Sequence, residues 1–195
     1  MISALDEATA ERGLAAGTLR CGCGCGGRLR GWGRTRPRAV RGRDGRWSRV
    51  RLRRTRCAGC RRTHVVVPAA YLRRRVDHTD TVGAALLAAA QGAGHRRVAA
   101  DLDRPVDTVR GWLRRFRGQS ELLRGVATRL AVSLDPRFEP ERPQPTPLAD
   151  AVTALGAAAA SVVRRLGGAV VARLADHCHD HRRQAALAGS RKLIK

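Results

Sequence analysis

Two short stretches decide how the first part of this chain folds: CGCGC at residues 21–25 and CAGC at residues 57–60. The two cysteine clusters flank an Arg-rich segment, residues 26–56. In a reducing compartment such a pairing points to metal binding rather than to disulfides. Four thiolates arranged as a tetrahedron suit Zn²⁺, and glycines let the backbone turn sharply around a metal. The pattern therefore predicts two metal-binding knuckles joined by strands, the arrangement of a zinc ribbon.

The first cluster has an irregular spacing, because Gly22 stands where a C-x-x-C motif ending at Cys25 would need a cysteine. We expect two thiolate ligands from each cluster, namely Cys21, Cys25, Cys57 and Cys60. Cys23 is a competitor, although one intervening residue is a tight spacing for two ligands of one ion, and His64 is a weaker one. Four thiolates leave no open position for water, so a structural role is expected. Free or redox-active cysteines are the alternative interpretation.

Apolar and basic residues alternate between the clusters, as in Val50-Arg51-Leu52-Arg53. Alternation with a period of two is typical of a half-buried strand. Strands are expected near Leu29–Trp32, Arg36–Val40, Val50–Thr55 and Thr63–Val67, with a turn at Asp44-Gly45.

The positive charge is concentrated in the same part of the chain. The 195 residues carry a formal net charge of +23, and residues 20–75 hold nineteen arginines and one acid, Asp44. Such an excess over acidic residues indicates a polyanionic partner. We expect Arg51 and Arg53 to contact nucleic-acid phosphates. A solvated or disordered basic tail is the alternative, but the cysteines and the alternation argue against it.

Three helices are expected next, at Thr81–Ala90, Arg96–Leu102 and Val106–Arg117. Pro105 fits the first position of the third helix, where its missing N–H is harmless. This helix carries an apolar stripe at helical spacing, formed by Val109, Trp112, Leu113 and Phe116. A short helix, a tight turn and a helix with a basic outer face form a helix-turn-helix pattern.

The start of the third helix is the part expected to enter the major groove of DNA. Four of its side chains are then placed to read base edges: Asp107, Thr108, Arg110 and Arg114. Four neighbouring arginines are better placed for phosphates: Arg96, Arg97, Arg115 and Arg117. A three-helix bundle with a solvated basic face is the alternative interpretation.

Three of these segments also carry a resemblance to known proteins. They are CAGCRRTHVVVP at residues 57–68, RRVAADL at residues 96–102 and TVRGWLRRF at residues 108–116. They resemble an uncharacterised family of actinobacterial helix-turn-helix proteins, and the zinc-ribbon and helix-turn-helix N-terminal part of insertion-sequence transposases. The resemblance implies DNA binding and association with a bacterial mobile element. The chain departs from it in the irregular first knuckle and at Asp103, where such turns usually carry Gly.

The whole chain is expected to have an α+β fold, with a zinc ribbon followed by a mostly helical part. The predicted segments are a short N-terminal helix in residues 1–19, the ribbon in 20–75, the helix-turn-helix in 76–118, a helix in 119–134, a Pro-rich linker in 135–147, an Ala-rich helical region in 148–181 and a basic tail in 182–195. An apolar stripe on the helix in 119–134 is formed by Leu122, Leu123, Val126, Leu130 and Leu134.

The Ala-rich region, predicted as a helix over Leu148–Ala175 with an interruption at Gly167-Gly168, is expected to pack closely against other helices. Packing within the chain is slightly favoured over packing against a second copy. A cluster near its end is formed by His177, Cys178, His179 and His181. Neighbouring positions on a helix point in different directions, which favours a polar helix end over a metal site.

The sequence predicts a DNA-binding protein rather than an enzyme. It lacks the clustered carboxylates of two-metal nucleases, and it has no P-loop, G-x-S-x-G or H-E-x-x-H motif. We expect a transcription regulator or a transposon accessory factor that binds double-stranded DNA, with a transposase or a second copy as further partners. An RNA-binding or ribosome-associated zinc-ribbon protein, or the DNA-targeting subunit of a separate catalytic chain, is the alternative. With no membrane span and no basic signal region, a cytoplasmic, nucleoid-associated location is expected.

Overall fold

The computed structural model describes residues 2–166 and confirms the α+β fold. The chain divides into two compact units, Met1–Leu113 and Arg114–Lys195, and the boundary falls within one helix. Several predicted features lie outside the described residues: the interruption at Gly167-Gly168, the cluster of His177, Cys178, His179 and His181, and the tail at 182–195.

The first unit contains two β-sheets and the N-terminal helix α1, Glu7–Ala15. The strands are β1 Ile2–Ala4, β2 Leu29–Arg34, β3 Arg38–Arg41, β4 Trp47–Val50, β5 Arg53–Cys57 and β6 Thr63–Pro68. A four-stranded sheet has the order β1-β6-β5-β2, in which only β1 and β6 are parallel. Strands β3 and β4 form a separate antiparallel hairpin. Strand β1 was not expected from the sequence, which predicted only a helix in residues 1–19.

The predicted strand Val50–Thr55 is wrong as a single element, because the chain changes sheets within it. Strand β4 ends at Val50 and β5 begins at Arg53. Between them, the backbone of Leu52 bonds to Thr35 instead of to a strand: the Leu52 N–H donates to Thr35 Oγ1 at 3.0 Å, and the Thr35 N–H donates to the Leu52 carbonyl at 2.8 Å. Leu52 is buried between exposed Arg51 and half-buried Arg53, so the side-chain alternation is retained while the ladder is not.

The turn predicted at Asp44-Gly45 is confirmed and closes the hairpin β3–β4. Gly45 has φ +80, a left-handed conformation that glycine adopts without a steric penalty. The side chain of Asp44 accepts from the Arg46 N–H at 3.0 Å. The first strand of the hairpin begins at Arg38, two residues later than predicted, because Pro37 has no N–H to donate.

Helices α2 Thr79–Ala90, α3 His95–Asp101 and α4 Val106–Arg117 follow the sheets. The bounds of α4 are those predicted, and its stripe is buried at Val109, Trp112 and Leu113. Phe116 is half-buried. Asp103, in the turn between α3 and α4, has φ +50, the left-handed conformation for which such turns usually use glycine. Aspartate tolerates it better than most residues.

The second unit pairs helices α5 Ser120–Leu134 and α6 Pro147–Leu166 through small side chains. Ala127 and Ala131 of α5 pack with Ala158 of α6, and Phe138 covers the cluster. The Ala-rich stripe therefore packs within the chain, because alanines allow two helices to approach closely. The apolar stripe predicted on α5 is not fully buried, since Leu122, Val126 and Leu130 are exposed.

Candidate metal centre and basic surfaces

Four cysteine sulfurs converge where the loop at residues 21–25 meets the turn after β5. The Sγ atoms of Cys21, Cys23, Cys25 and Cys60 all lie within 4.8 Å of one another. The Sγ of Cys21 is 3.1 Å from that of Cys23 and 3.6 Å from that of Cys60, and the last two are 3.4 Å apart. Four soft donors at this spacing can hold a metal ion.

The two remaining donor residues border this group. Cys57, expected as a ligand, is not one of the four, although its Sγ lies 3.6 Å from that of Cys25. The competitor Cys23 takes its place. The weaker competitor, His64, is buried with its Nε2 atom 3.1 Å from the Sγ of Cys21. Sequence spacing could not rank these donors, because it does not reveal how a glycine-rich loop folds back.

Backbone pairing between β2 and β5 brings the two cysteine clusters together. Leu29 pairs with Cys57 in the ladder, and the Ala58 N–H donates to the Arg28 carbonyl at 2.9 Å. The first loop is closed by the Cys21 N–H, which donates to the Gly27 carbonyl at 3.0 Å. A Cβ atom at Gly27 would stand 2.5 Å from the Sγ of Cys57, so only glycine fits there.

The thiols of the cluster differ in pKa. The backbone N–H of Gly27, together with the neighbouring thiols, lowers the pKa of Cys25 to about 6. Contact with the Cys23 thiol raises the pKa of Cys21 above its ordinary value. Crowded thiolates repel one another, and a divalent cation removes this repulsion. Burial lowers the pKa of His64, which favours the neutral imidazole, the form that binds metals.

Helix α4 presents most of the predicted base-reading residues to solvent. Asp107, Arg110 and Arg114 are exposed, and Thr108 is half-buried. The arginines expected at phosphates are also exposed on α3 and α4: Arg96, Arg97, Arg115 and Arg117. On α4 itself, Val109, Trp112 and Leu113 are buried while Arg115 and Arg117 are exposed, so the helix separates a packing face from a basic face.

The two arginines predicted on the strands differ in their surroundings. Arg51 is exposed, and its Nε donates to the Thr35 carbonyl at 3.3 Å. Arg53 is half-buried, with its Nε 3.1 Å from Oε1 of Glu11 on α1. A second α1 carboxylate, that of Glu7, pairs with Arg34 on β2. The acidic N-terminal helix thus neutralises part of the basic sheet, which the sequence did not predict.

Two exposed tryptophans were also missed by the sequence analysis. The side chain of Trp32 on β2 is 50% exposed, and that of Trp47 on β4 is 59% exposed. Each carries an arginine over its ring: the guanidinium carbon of Arg56 lies 4.6 Å from the ring centroid of Trp32, and that of Arg41 lies 5.9 Å from the ring centroid of Trp47. The signal was available, because both tryptophans stand among glycine, serine and arginine instead of in an apolar run.

Within residues 2–166, none of the helices combines the length and apolar character that crossing a membrane requires.

Comparison with known proteins gives one family match, which covers just under half of the chain. Neither a curated protein nor a solved structure matches the chain significantly. Residues 21–112 match a family described as "Domain of unknown function (DUF6431)". The match begins at Cys21 and ends at Trp112 in α4, so the matched segment of this chain contains the thiol cluster and the turn before α4.

Proposed function

We propose that this chain is a DNA-binding protein in which α4 reads the major groove of duplex DNA. The observation that carries the proposal is the division of α4 into two faces. Val109, Trp112 and Leu113 are buried, whereas Arg110 and Arg114 project into solvent. A helix held in this way after a tight turn presents its first residues outward, as a recognition helix does.

Positive charge in the part of the chain before α4 supports the same proposal. Residues 20–75 contribute nineteen arginines against a single acid, and α3 adds exposed Arg96 and Arg97. Guanidinium groups pair with phosphate oxygens whatever the base sequence, so they supply affinity and position the reading helix. A transcription regulator or a transposon-associated accessory factor, acting at the nucleoid, is the role that fits a chain of this kind.

The thiol cluster is proposed to hold one Zn²⁺ ion with a structural role. Sulfur donors favour Zn²⁺ over hard cations such as Mg²⁺, and four thiolates complete a tetrahedron. Cys21, Cys23, Cys25 and Cys60 are the proposed ligands, with Cys57 as the residue most able to replace one of them. The ion would join the loop at residues 21–25 to the end of β5, so that both knuckles support the sheet.

The test of a reading role for α4 is the binding affinity of Arg110→Ala for two duplexes. One is a duplex chosen by in vitro selection for tight binding to the wild-type chain, called the selected duplex, and the other has a random sequence. A side chain that reads a base edge contributes on the order of 1–3 kcal/mol of discrimination, so affinity should fall on the selected duplex and change little on the random one. Arg129→Ala serves as the matched control, because Arg129 is exposed on α5 and loses the same charge. Equal weakening on both duplexes would contradict a reading role for α4.

RNA binding is the second candidate, and the exposed tryptophans favour it. Unpaired bases stack on aromatic rings, and Trp32 and Trp47 are both open to solvent within the basic block. Competition of labelled duplex DNA against duplex RNA and single strands separates the two candidates. If single-stranded RNA displaces the duplex at lower concentration, and Trp32→Ala removes that advantage, the RNA-binding candidate replaces the DNA-binding proposal.

A further inference from the structure

The hairpin β3–β4, residues Arg38–Val50, is bonded through its backbone to the segment that leads into the helices. The Arg41 N–H donates to the Val76 carbonyl at 2.6 Å, and the His78 N–H donates to the Arg41 carbonyl at 3.1 Å. This pair of bonds forms a parallel bridge between Arg41 and Asp77, directly before α2. The hairpin is therefore bonded through its backbone to the segment directly before α2.

A buried arginine strengthens this connection and extends it to the turn before α4. The side chain of Arg104 is 1% exposed, and its Nε donates to Oδ1 of Asp77 at 2.7 Å. Its Nη2 donates to the carbonyl of Gly42 in the hairpin. Its Nη1 donates to the carbonyls of Leu102 and Asp103 at 2.8 and 3.0 Å. One guanidinium thus joins the hairpin, the start of α2 and the turn between α3 and α4.

A second ion pair repeats the connection at the surface. Nη2 of Arg41 donates to Oδ2 of Asp103 at 2.6 Å, and Nε of Arg41 donates to the Gly45 carbonyl at 3.2 Å. Asp103 is the residue with the left-handed backbone in the turn before α4. The closing turn of the hairpin is therefore attached to the turn that sets the direction of α4.

Three arginines at the tip and on the second strand of the hairpin have no ion-pair partner among the described residues. Arg43, Arg46 and Arg49 are exposed, and within residues 2–166 none of their guanidinium groups forms an ion pair or a hydrogen bond. Trp47 lies beside them, more exposed than either of the other tryptophans. Three unpaired guanidinium groups on one hairpin suit a ligand that carries a row of negative charges.

We propose that the β3–β4 hairpin is a second DNA-contacting element, whose tip arginines bind backbone phosphates beside the groove entered by α4. This inference rests on the proposed DNA-binding function. The turn between α3 and α4 directly precedes the residues of α4 that enter the groove, and phosphates border that groove. A basic hairpin bonded to this turn is therefore held at the edge of the groove.

The test compares two double variants that lose the same charge. Arg43→Ala/Arg46→Ala removes the tip arginines, and Arg129→Ala/Arg142→Ala removes two exposed arginines from the second unit. Binding to a random-sequence duplex over a salt series measures the number of phosphates contacted. If both tip residues bind phosphates, the slope of log K against log salt should become shallower by about two in the tip variant only. Arg43→Lys/Arg46→Lys should keep the slope, since lysine also neutralises phosphate.

Hydroxyl-radical footprinting on the selected duplex shows where the hairpin contacts the DNA backbone. The tip variant should lose hydroxyl-radical protection beside the groove protected by α4, while the protection that depends on Arg110 remains. If the wild-type chain binds duplex DNA and Arg110→Ala affects reading, but the tip variant behaves like its control, the hairpin proposal is overturned and the proposed function stands. If the wild-type chain does not bind duplex DNA, both are overturned together.

Discussion

The four-stranded sheet and the β3–β4 hairpin lie in the same basic part of the chain, yet their arginines have different surroundings. On the sheet, Arg34 and Arg53 are paired with Glu7 and Glu11 of α1. At the hairpin tip, Arg43 and Arg46 have no such partner among the described residues. The formal charge of a segment therefore overstates the charge that a nucleic acid can meet.

The two regions also differ in what holds them. The sheet buries Val66 and Val67 of β6, and at its other end Leu29 is buried in a cluster with the thiols of Cys21 and Cys57. The hairpin buries Val40 and is attached through Arg104, which is paired with Asp77 and donates to the Gly42 carbonyl of the hairpin. A metal ion at the thiols would cross-link that end of the sheet, whereas the hairpin is held by a polar network around Arg104 and by the backbone bridge between Arg41 and Asp77. Removing the metal ion should therefore destabilise the sheet first, and breaking the pair of Arg104 and Asp77 should destabilise the hairpin first.

Metal removal should have the largest effect, and it should act on the sheet. Structural zinc in small domains contributes apparent free energies on the order of 10–16 kcal/mol, so chelation should unfold the sheet around residues 20–34 and 53–64. Helices α2 to α4 should keep their order, because their packing involves none of the thiols. Hydrogen exchange with and without chelator checks this, together with elemental analysis of the reduced protein. Absence of zinc, or an unchanged sheet after chelation, would contradict the proposal.

Single cysteine variants sharpen the ligand assignment within that experiment. Cys23→Ser should lose more zinc affinity than Cys57→Ser, because Cys23 belongs to the group of four sulfurs and Cys57 borders it. The reverse order would restore the assignment made from spacing, in which Cys57 is a ligand.

Breaking the buried ion pair should have the next largest effect, and it should act on the hairpin. Asp77→Asn leaves the Arg104 guanidinium buried without its carboxylate, a change that typically costs about 3–5 kcal/mol. Urea unfolding measures this loss, and Asp101→Asn on the surface of α3 is the control. Zinc content should stay unchanged in Asp77→Asn. A loss below about 1 kcal/mol, comparable to an exposed pair, would show that the network does not anchor the hairpin.

The smallest effect is expected from Arg51 and Arg53, the second of which is paired with Glu11 of α1. Arg51→Ala should make the salt slope of duplex binding shallower by about one, and Arg53→Ala should change it less, because Arg53 is paired with Glu11. Glu11→Gln should free Arg53 and steepen the slope. Freeing Arg53 adds at most about one phosphate contact, so the change in affinity should be modest. Glu139→Gln, on the exposed linker, is the control. Equal salt slopes for the two Gln variants would show that Glu11 does not reduce phosphate binding by Arg53.

The sequence by itself determined the features that depend on neighbouring residues. Helix α4 was predicted with its observed bounds, because a buried stripe at helical spacing is a local pattern. The hairpin turn followed from Asp44-Gly45, since only glycine adopts its backbone conformation easily. The convergence of the two cysteine clusters was predictable as well, because thiols in paired clusters have few other uses in a reducing compartment.

Only the tertiary structure decided which distant groups meet. Cys23 rather than Cys57 joins the group of four sulfurs, because the fold of a glycine-rich loop is not encoded in spacing. The strand predicted at Val50–Thr55 divides because Leu52 finds its backbone partner at Thr35. Nothing near Arg104 in the sequence marks it as buried, since its partners Asp77 and Gly42 lie far along the chain. Charge and periodicity are local properties, whereas neutralisation and burial depend on contacts that exist only after the chain has folded.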